Sequence, residues 1–219
     1  MAEPAPRPWV SAVIAAAVLG IFAVIGASLV GLSYEGTAER IAQNEKQALL
    51  DQLNAILPSA EYDNQLLHDY FDLQARPELG AEQTRAYRAR KAGAPVAVIL
   101  SPVVAKGYNG GITLVVGIRA DGSLAGVRAL SQKETPGLGD KIDIQKSNWI
   151  LGFNGKSLDN PSEDKWKVRR DGGDFDQFTG ATITPRGVVA AVHKALVYYQ
   201  ANKDKLFNTE SIYREPEHG

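Results

Sequence analysis

From Trp9 to Leu32 the chain runs for 24 residues without a charged side chain. About 20 such residues cross the hydrocarbon core of a bilayer as a helix, so this stretch predicts a membrane span. A cleaved signal peptide is the competing reading, with Ala27 and Ser28 as small residues at a processing site. Its apolar core would be long against the usual ~7 to 15 residues, which favours an uncleaved anchor. Trp9 and Tyr34 mark the two interfaces. Arg7 and the terminal amine lie before the span, whereas Glu35 and Glu39 precede Arg40 after it. The positive-inside bias then places residues 1–8 in the cytoplasm and the bulk of the chain outside it.

Beyond the span the pattern changes to a helical period. Ile41, Ala48, Leu49, Leu53 and Ile56 share one stripe between Thr37 and Leu57, and Pro58 stops the run. This predicts an exit helix that packs on the folded domain. Ser59 to Ala94 is polar and mixed, and no element is assigned there. Three apolar runs, 96–100, 112–118 and 124–130, read as strands, the last two joined by an Asp121-Gly122 hairpin turn. Tyr108 to Gly111 reads as the turn entering the second of these strands. A further helix is expected from Pro185, capped by Thr184, with Val188, Val189, Val192, Leu196 and Tyr199 as its buried face and Gly187 as a weak point in its first turn. The fold class is α+β: a transmembrane helix at 9–32, an exit helix and connecting region at 33–94, a domain at 95–205 with a small antiparallel sheet and flanking helices, and a tail at 206–219.

Composition narrows the chemistry. A chain of 219 residues that is 44% hydrophobic holds one ordinary core. A formal net charge of −1 argues against a nucleic-acid partner. The absence of cysteine excludes disulfides, thiolate-bound iron–sulfur clusters and thioether-linked haem. His68, His193 and His218 are too scattered to suggest a metal site.

Two stretches carry candidate chemistry. In ETPGLGDKI, Glu134 to Ile142, proline and glycines shape a loop that either contacts a ligand or is a solvated turn. In DFDQFTGATITP, Thr182 lies just before the expected helix, where free N–H groups and the helix dipole favour a phosphate. Gly180 and Ala181 keep the approach open. Thr179, Thr182 and Thr184 could equally cap the helix and bond the local backbone. Asp174 and Asp176 read as solvated turn residues, and no histidine or cysteine stands near enough to suggest nucleophilic catalysis.

The T-G-A-T quartet at Thr179 to Thr182 resembles the flavin-attachment motif of FMN-binding membrane subunits, in which the last threonine is esterified to the phosphate of FMN. With its single anchor, exit helix, GYNGG turn and ETPGLGDKI loop in that order, the chain from about Thr37 to Tyr199 resembles the G subunit of the Rnf (Rsx) ion-translocating electron transport complex. The resemblance implies that Thr182 carries covalent FMN, installed by a separate flavin transferase, and that Thr179, Gly180 and Ala181 line the attachment site. Glu134, Thr135, Leu138 and Lys141 are then expected to face the flavin.

It further implies an electron relay between reduced ferredoxin and NAD, coupled to ion movement, in a bacterial inner membrane with the flavin domain on the periplasmic side. The chain would not be catalytic alone; other subunits of the complex would hold the clusters, the nicotinamide site and the ion path. Three alternatives remain open at this point: the flavinylated C subunit of a sodium-translocating NADH:quinone reductase, a non-redox membrane-anchored assembly module, and a sensor that binds a phosphate ligand non-covalently.

Overall fold

The computed structural model describes residues 8–213, so the assignments on Arg7, the amino terminus and His218 lie outside the described residues, as do the side chains of Tyr34, Glu35 and Glu39. The chain divides into two units between Leu49 and Leu50.

The first unit is helical. Helix α1 runs unbroken over Pro8–Asn54, so the exit helix predicted from Thr37 is not a separate element. Nothing between the two stretches forces a break: no proline intervenes, and an isolated glycine such as Gly36 costs a helix only about 1 kcal/mol. Ala12–Val30 is long and apolar enough to cross a membrane. Its side chains are exposed, Leu19 at 70% and Phe22 at 69%. Of the expected stripe, Ile41 and Ala48 are exposed and Leu49 is half-buried. Only its last members, Leu53 and Ile56, are buried.

The second unit is built on one antiparallel meander in sequential order: β1 (Tyr70–Gln74), β2 (Gln83–Lys91), β3 (Ala94–Lys106), β4 (Gly111–Arg119) and β5 (Leu124–Ser131). β3, β4 and β5 contain the three predicted strands. β1 and β2 lie within 59–94, where no element is predicted, because their polar residues hide the alternation. Arg88 is the clearest case: it is only 3% exposed, yet its guanidinium meets Asp69 at 2.5 Å and donates to the carbonyls of Phe207 and Thr209. The β2–β3 turn uses Ala92 and Gly93 at φ +48° and +78°, the left-handed pair a two-residue hairpin requires.

Helix α2, Ile183–Asn208, packs on β3 and β4. All five residues of its predicted apolar face are buried in one core with Val98, Leu100, Leu114 and Val116. Ile56 seats over the sheet at Gly117, where a Cβ would lie 2.4 Å from its Cγ2. At its far end α2 is clamped by arginines: Arg90 donates to the Phe207 carbonyl at 2.6 Å and pairs with Asp69 at 2.8 Å. Cations at a helix C-terminus satisfy its open carbonyls and complement its dipole. The described part of the expected tail continues along β1, with Ile212 donating to the Tyr70 carbonyl at 3.0 Å and Tyr213 stacked on His68 at 3.8 Å.

Between β5 and α2 lie four short 3-10 helices. An aromatic cluster holds this stretch: Phe153 stacks on Phe175 at 4.9 Å, and Trp149 meets Phe178 edge-on at 5.2 Å. Gly187, expected to weaken the first turn of its helix, is instead where α2 touches the end of β3: a Cβ there would lie 1.8 Å from the carbonyl oxygen of Lys106. Neither backbone can yield cheaply. Gly187→Ala is therefore expected to lower stability by about 1–3 kcal/mol, read as a shifted urea midpoint of Trp fluorescence in detergent.

Candidate functional site

Three loops meet at the N-terminus of α2. The first is the β3–β4 hairpin loop, closed by Gly107 N–H donating to the Gly110 carbonyl at 2.8 Å. The second is the Pro-Gly loop, in which Leu138 N–H reaches back to the Thr135 carbonyl at 3.1 Å and Gly137 takes φ +78°. Proline then glycine at the centre of such a turn is the type II preference. The third is the threonine stretch itself. Ala181 N–H donates to the Phe178 carbonyl at 3.1 Å, and Gly180 at φ +81° occupies the turn position that favours glycine. Phe178 is anchored in the aromatic cluster, and Trp149 fixes the preceding backbone through its indole N–H to the Asp176 carbonyl at 2.8 Å.

The carboxylate of Glu134, a residue only 6% exposed, binds the loops together. Oε1 accepts from Asn109 N–H at 3.0 Å and Oε2 from Tyr108 N–H at 3.3 Å; Oε2 also accepts a short hydrogen bond from the Thr184 hydroxyl. Space around it is reserved by absent side chains. A Cβ at Gly107 would stand 2.5 Å from Oε1, and one at Gly139 would stand 2.6 Å from Oε2.

This arrangement corrects the predicted helix start. Thr184 lies inside the first turn of α2 with its hydroxyl engaged by Glu134, and Thr182 is the N-cap residue. Pro185 sits two positions further in than expected, still within the turn whose N–H groups have no helical acceptor. Thr182 adopts φ −83° and ψ −27° and makes no side-chain capping bond. Among the described residues the helix therefore begins with open N–H groups and, beside them, a Thr182 hydroxyl not spent on a cap.

These groups border a cavity of about 330 Å³. Of the predicted site residues, Gly180, Ala181, Thr182, Glu134, Thr135 and Leu138 line it together. Thr179 and Lys141 do not: Thr179 is exposed at the outer corner of its turn, and Lys141 lies in the following 3-10 helix. The sequence reading missed Tyr108, Gly139, Ile183 and Thr184 as lining residues. Tyr108, an exposed aromatic between glycines, carried a signal that turn chemistry alone masked. No group of metal-binding side chains occurs among the described residues.

Comparison with known proteins supplies the family. An FMN-binding domain family matches residues 107–197, spanning the three loops and most of α2, and an RnfG N-terminal region family matches residues 9–56. The G subunit of the ion-translocating oxidoreductase complex of Pseudoalteromonas atlantica is 46% identical over 198 residues, covering 90% of this chain and 92% of the relative. The G subunits from Vibrio cholerae and Pseudomonas aeruginosa are each 48% identical, covering 87% and 89% of this chain and 91% and 92% of theirs. The chain belongs to the RnfG family. Among solved structures, the C subunit of a Na+-translocating NADH-quinone reductase from Parabacteroides distasonis is similar at 23% identity and a TM-score of 0.43, covering 65% of this chain and 79% of that one.

Membership in the RnfG family favours that reading over the quinone reductase subunit, and the FMN-binding match favours a flavoprotein over a bare assembly module. The residues present suit FMN. Open N–H groups at α2 can donate to a phosphate, while exposed Tyr108, Leu138 and Ile183 offer apolar surface to a ring. Glu134→Ala is expected to leave the Tyr108 and Asn109 N–H groups unpaired and to cost about 1–3 kcal/mol for each group that stays dry. Glu134→Gln, which keeps an acceptor, is expected to cost less. Urea unfolding of both variants checks the order.

Proposed function

We propose that this chain is the membrane-anchored flavin subunit of an Rnf-type complex and carries FMN on Thr182 through a phosphoester. The observation that carries the reading is the free Thr182 hydroxyl at the open end of α2, on the wall of the cavity. Thr184 cannot serve in its place, because its hydroxyl is engaged by Glu134.

Attachment joins Thr182 Oγ to the phosphorus, with loss of the hydroxyl proton. A flavin dinucleotide would supply an activated phosphorus: as the ester forms, its pyrophosphate bond would break and the nucleoside monophosphate half would leave, with a separate flavin transferase catalysing the exchange. The open N–H groups of α2 would hold the phosphate oxygens, and Gly180 and Ala181 leave the approach to Oγ clear. When bound, FMN supplies both one-electron and two-electron redox chemistry. The protein's part is to hold that group in place.

In this reading electrons pass between ferredoxin and NAD through partner subunits, and ion transport is coupled elsewhere in the complex. The apolar segment Ala12–Val30 carries no ionisable residue to serve as an ion relay. Residues 1–8 are assigned to the cytoplasm of a bacterial inner membrane, with the flavin domain on the periplasmic side. A covalent tether suits that side, since a dissociated cofactor would have no local pool to replace it.

The test is intact mass and flavin fluorescence of the denatured chain, produced with an active transferase, for wild type and Thr182→Ala. One FMN per wild-type chain is expected, and none in the variant, with the urea midpoint unchanged. Flavin that survives denaturation on the Thr182→Ala chain, or a wild-type chain left unmodified by a transferase active on a control substrate, overturns the assignment.

A further inference from the structure

A second pair of cavities lies on the flank of α2, far from Thr182. One, of about 180 Å³, is bordered by Asp121, Asp159, Tyr199 and Gln200; its neighbour, of about 390 Å³, is bordered by Glu163, His193 and Val197. They share Leu158 and Asp159 and so form one groove between α2, the β4–β5 turn and the loop after residue 155. Tyr199 stands 17 residues beyond Thr182, about 25 Å along the helix at 1.5 Å per residue.

Two of the residues that border this groove carry a buried polar atom with no partner among the described residues. The hydroxyl of Tyr199, a residue 1% exposed, and Nε2 of His193 are buried without a hydrogen bond among the described residues. A buried polar group left unpaired costs free energy and calls for an explanation. Burial, and secondarily the charge of Asp121, push the Tyr199 phenol up to about 12, so it stays a hydroxyl. Burial also holds His193 below its ordinary value, which keeps the imidazole neutral with one nitrogen able to accept.

The charged residues that line the groove are all acidic. Asp121, Asp159 and Glu163 border the groove, no lysine or arginine lines it, and none of the three carboxylates forms an ion pair among the described residues. Leu158, Leu196 and Val197 supply an apolar floor. Carboxylates without an ion pair, of which Asp121 is held in place by Ser123 at 2.7 and 2.9 Å, together with two neutral polar groups and an apolar floor suit a long side chain with a cationic head.

We propose that this groove seats an arginine-bearing segment of a partner subunit in the complex. A planar guanidinium with five donors can serve Asp121 or Asp159 together with the Tyr199 hydroxyl, and its methylenes can lie on Leu158. The inference rests on membership of the RnfG family and is independent of the flavin assignment.

The whole complex, purified in detergent through a tag on this chain, tests it with two variants. Asp159→Asn/Glu163→Gln alters exposed side chains that form no ion pair among the described residues. Tyr199→Phe removes only the orphaned hydroxyl. Each is expected to lower recovery of partner subunits about tenfold or more, with covalent flavin content unchanged. The isolated Tyr199→Phe chain is expected to unfold at the same temperature as wild type or higher, since it loses an unpaired polar atom. Undiminished recovery in either variant overturns the proposal. So does a lower unfolding temperature for Tyr199→Phe, which would mean that water or a side chain already satisfies the hydroxyl.

Discussion

The site depends on one buried carboxylate. Glu134 gathers donors from the β3–β4 loop and from α2, segments separated from it by 25 and 50 residues. Hydrogen bonds to a charged acceptor contribute roughly 1.5–3 kcal/mol each, which makes this node a strong local constraint. Gly107 and Gly139 follow from it, because each gives the carboxylate room that a side chain would fill.

The same contact sorts the threonines. By engaging Thr184, Glu134 fixes the start of α2 earlier than local capping rules suggest and leaves Thr182 at the N-cap with its hydroxyl free. Ordinarily an N-cap threonine spends its oxygen on a helix N–H. Here Thr182, Ile183 and Thr184 line a cavity at the helix N-terminus, a setting that favours an anion. The aromatic cluster behind Phe178 and the contact of Gly187 with Lys106 hold this end of the helix against the sheet.

Helix α2 thereby organises the domain from end to end. Its N-terminus forms the cavity, its middle fills the core, and its last carbonyls are clamped by Arg88 and Arg90, which share Asp69. The conspicuous charges of β2 are thus structural. An arginine that pairs with a carboxylate and also caps a helix can be buried in a strand, where an unpaired one could not.

Much of this was legible in the chain itself. A long uncharged run specifies its own helix, short apolar runs at 112–118 and 124–130 bounded by turn residues specify strands, and the apolar period after Pro185 specifies the buried face of α2, because these signals arise from neighbours in sequence. The T-G-A-T quartet pointed to Thr182 through its resemblance to a family motif, and the fold puts Thr182 on the cavity wall. What tertiary structure alone decided depends on partners distant in sequence: β1 and β2 as strands, since Arg88 is tolerated only beside Asp69 and the end of α2; Thr184 as a ligand of Glu134 instead of a cap; Gly187 as a contact instead of a defect; and Lys141 outside the cavity its loop helps to build. Local pattern determined which elements form, and the burial of polar groups against remote partners determined what each residue of the site is free to do.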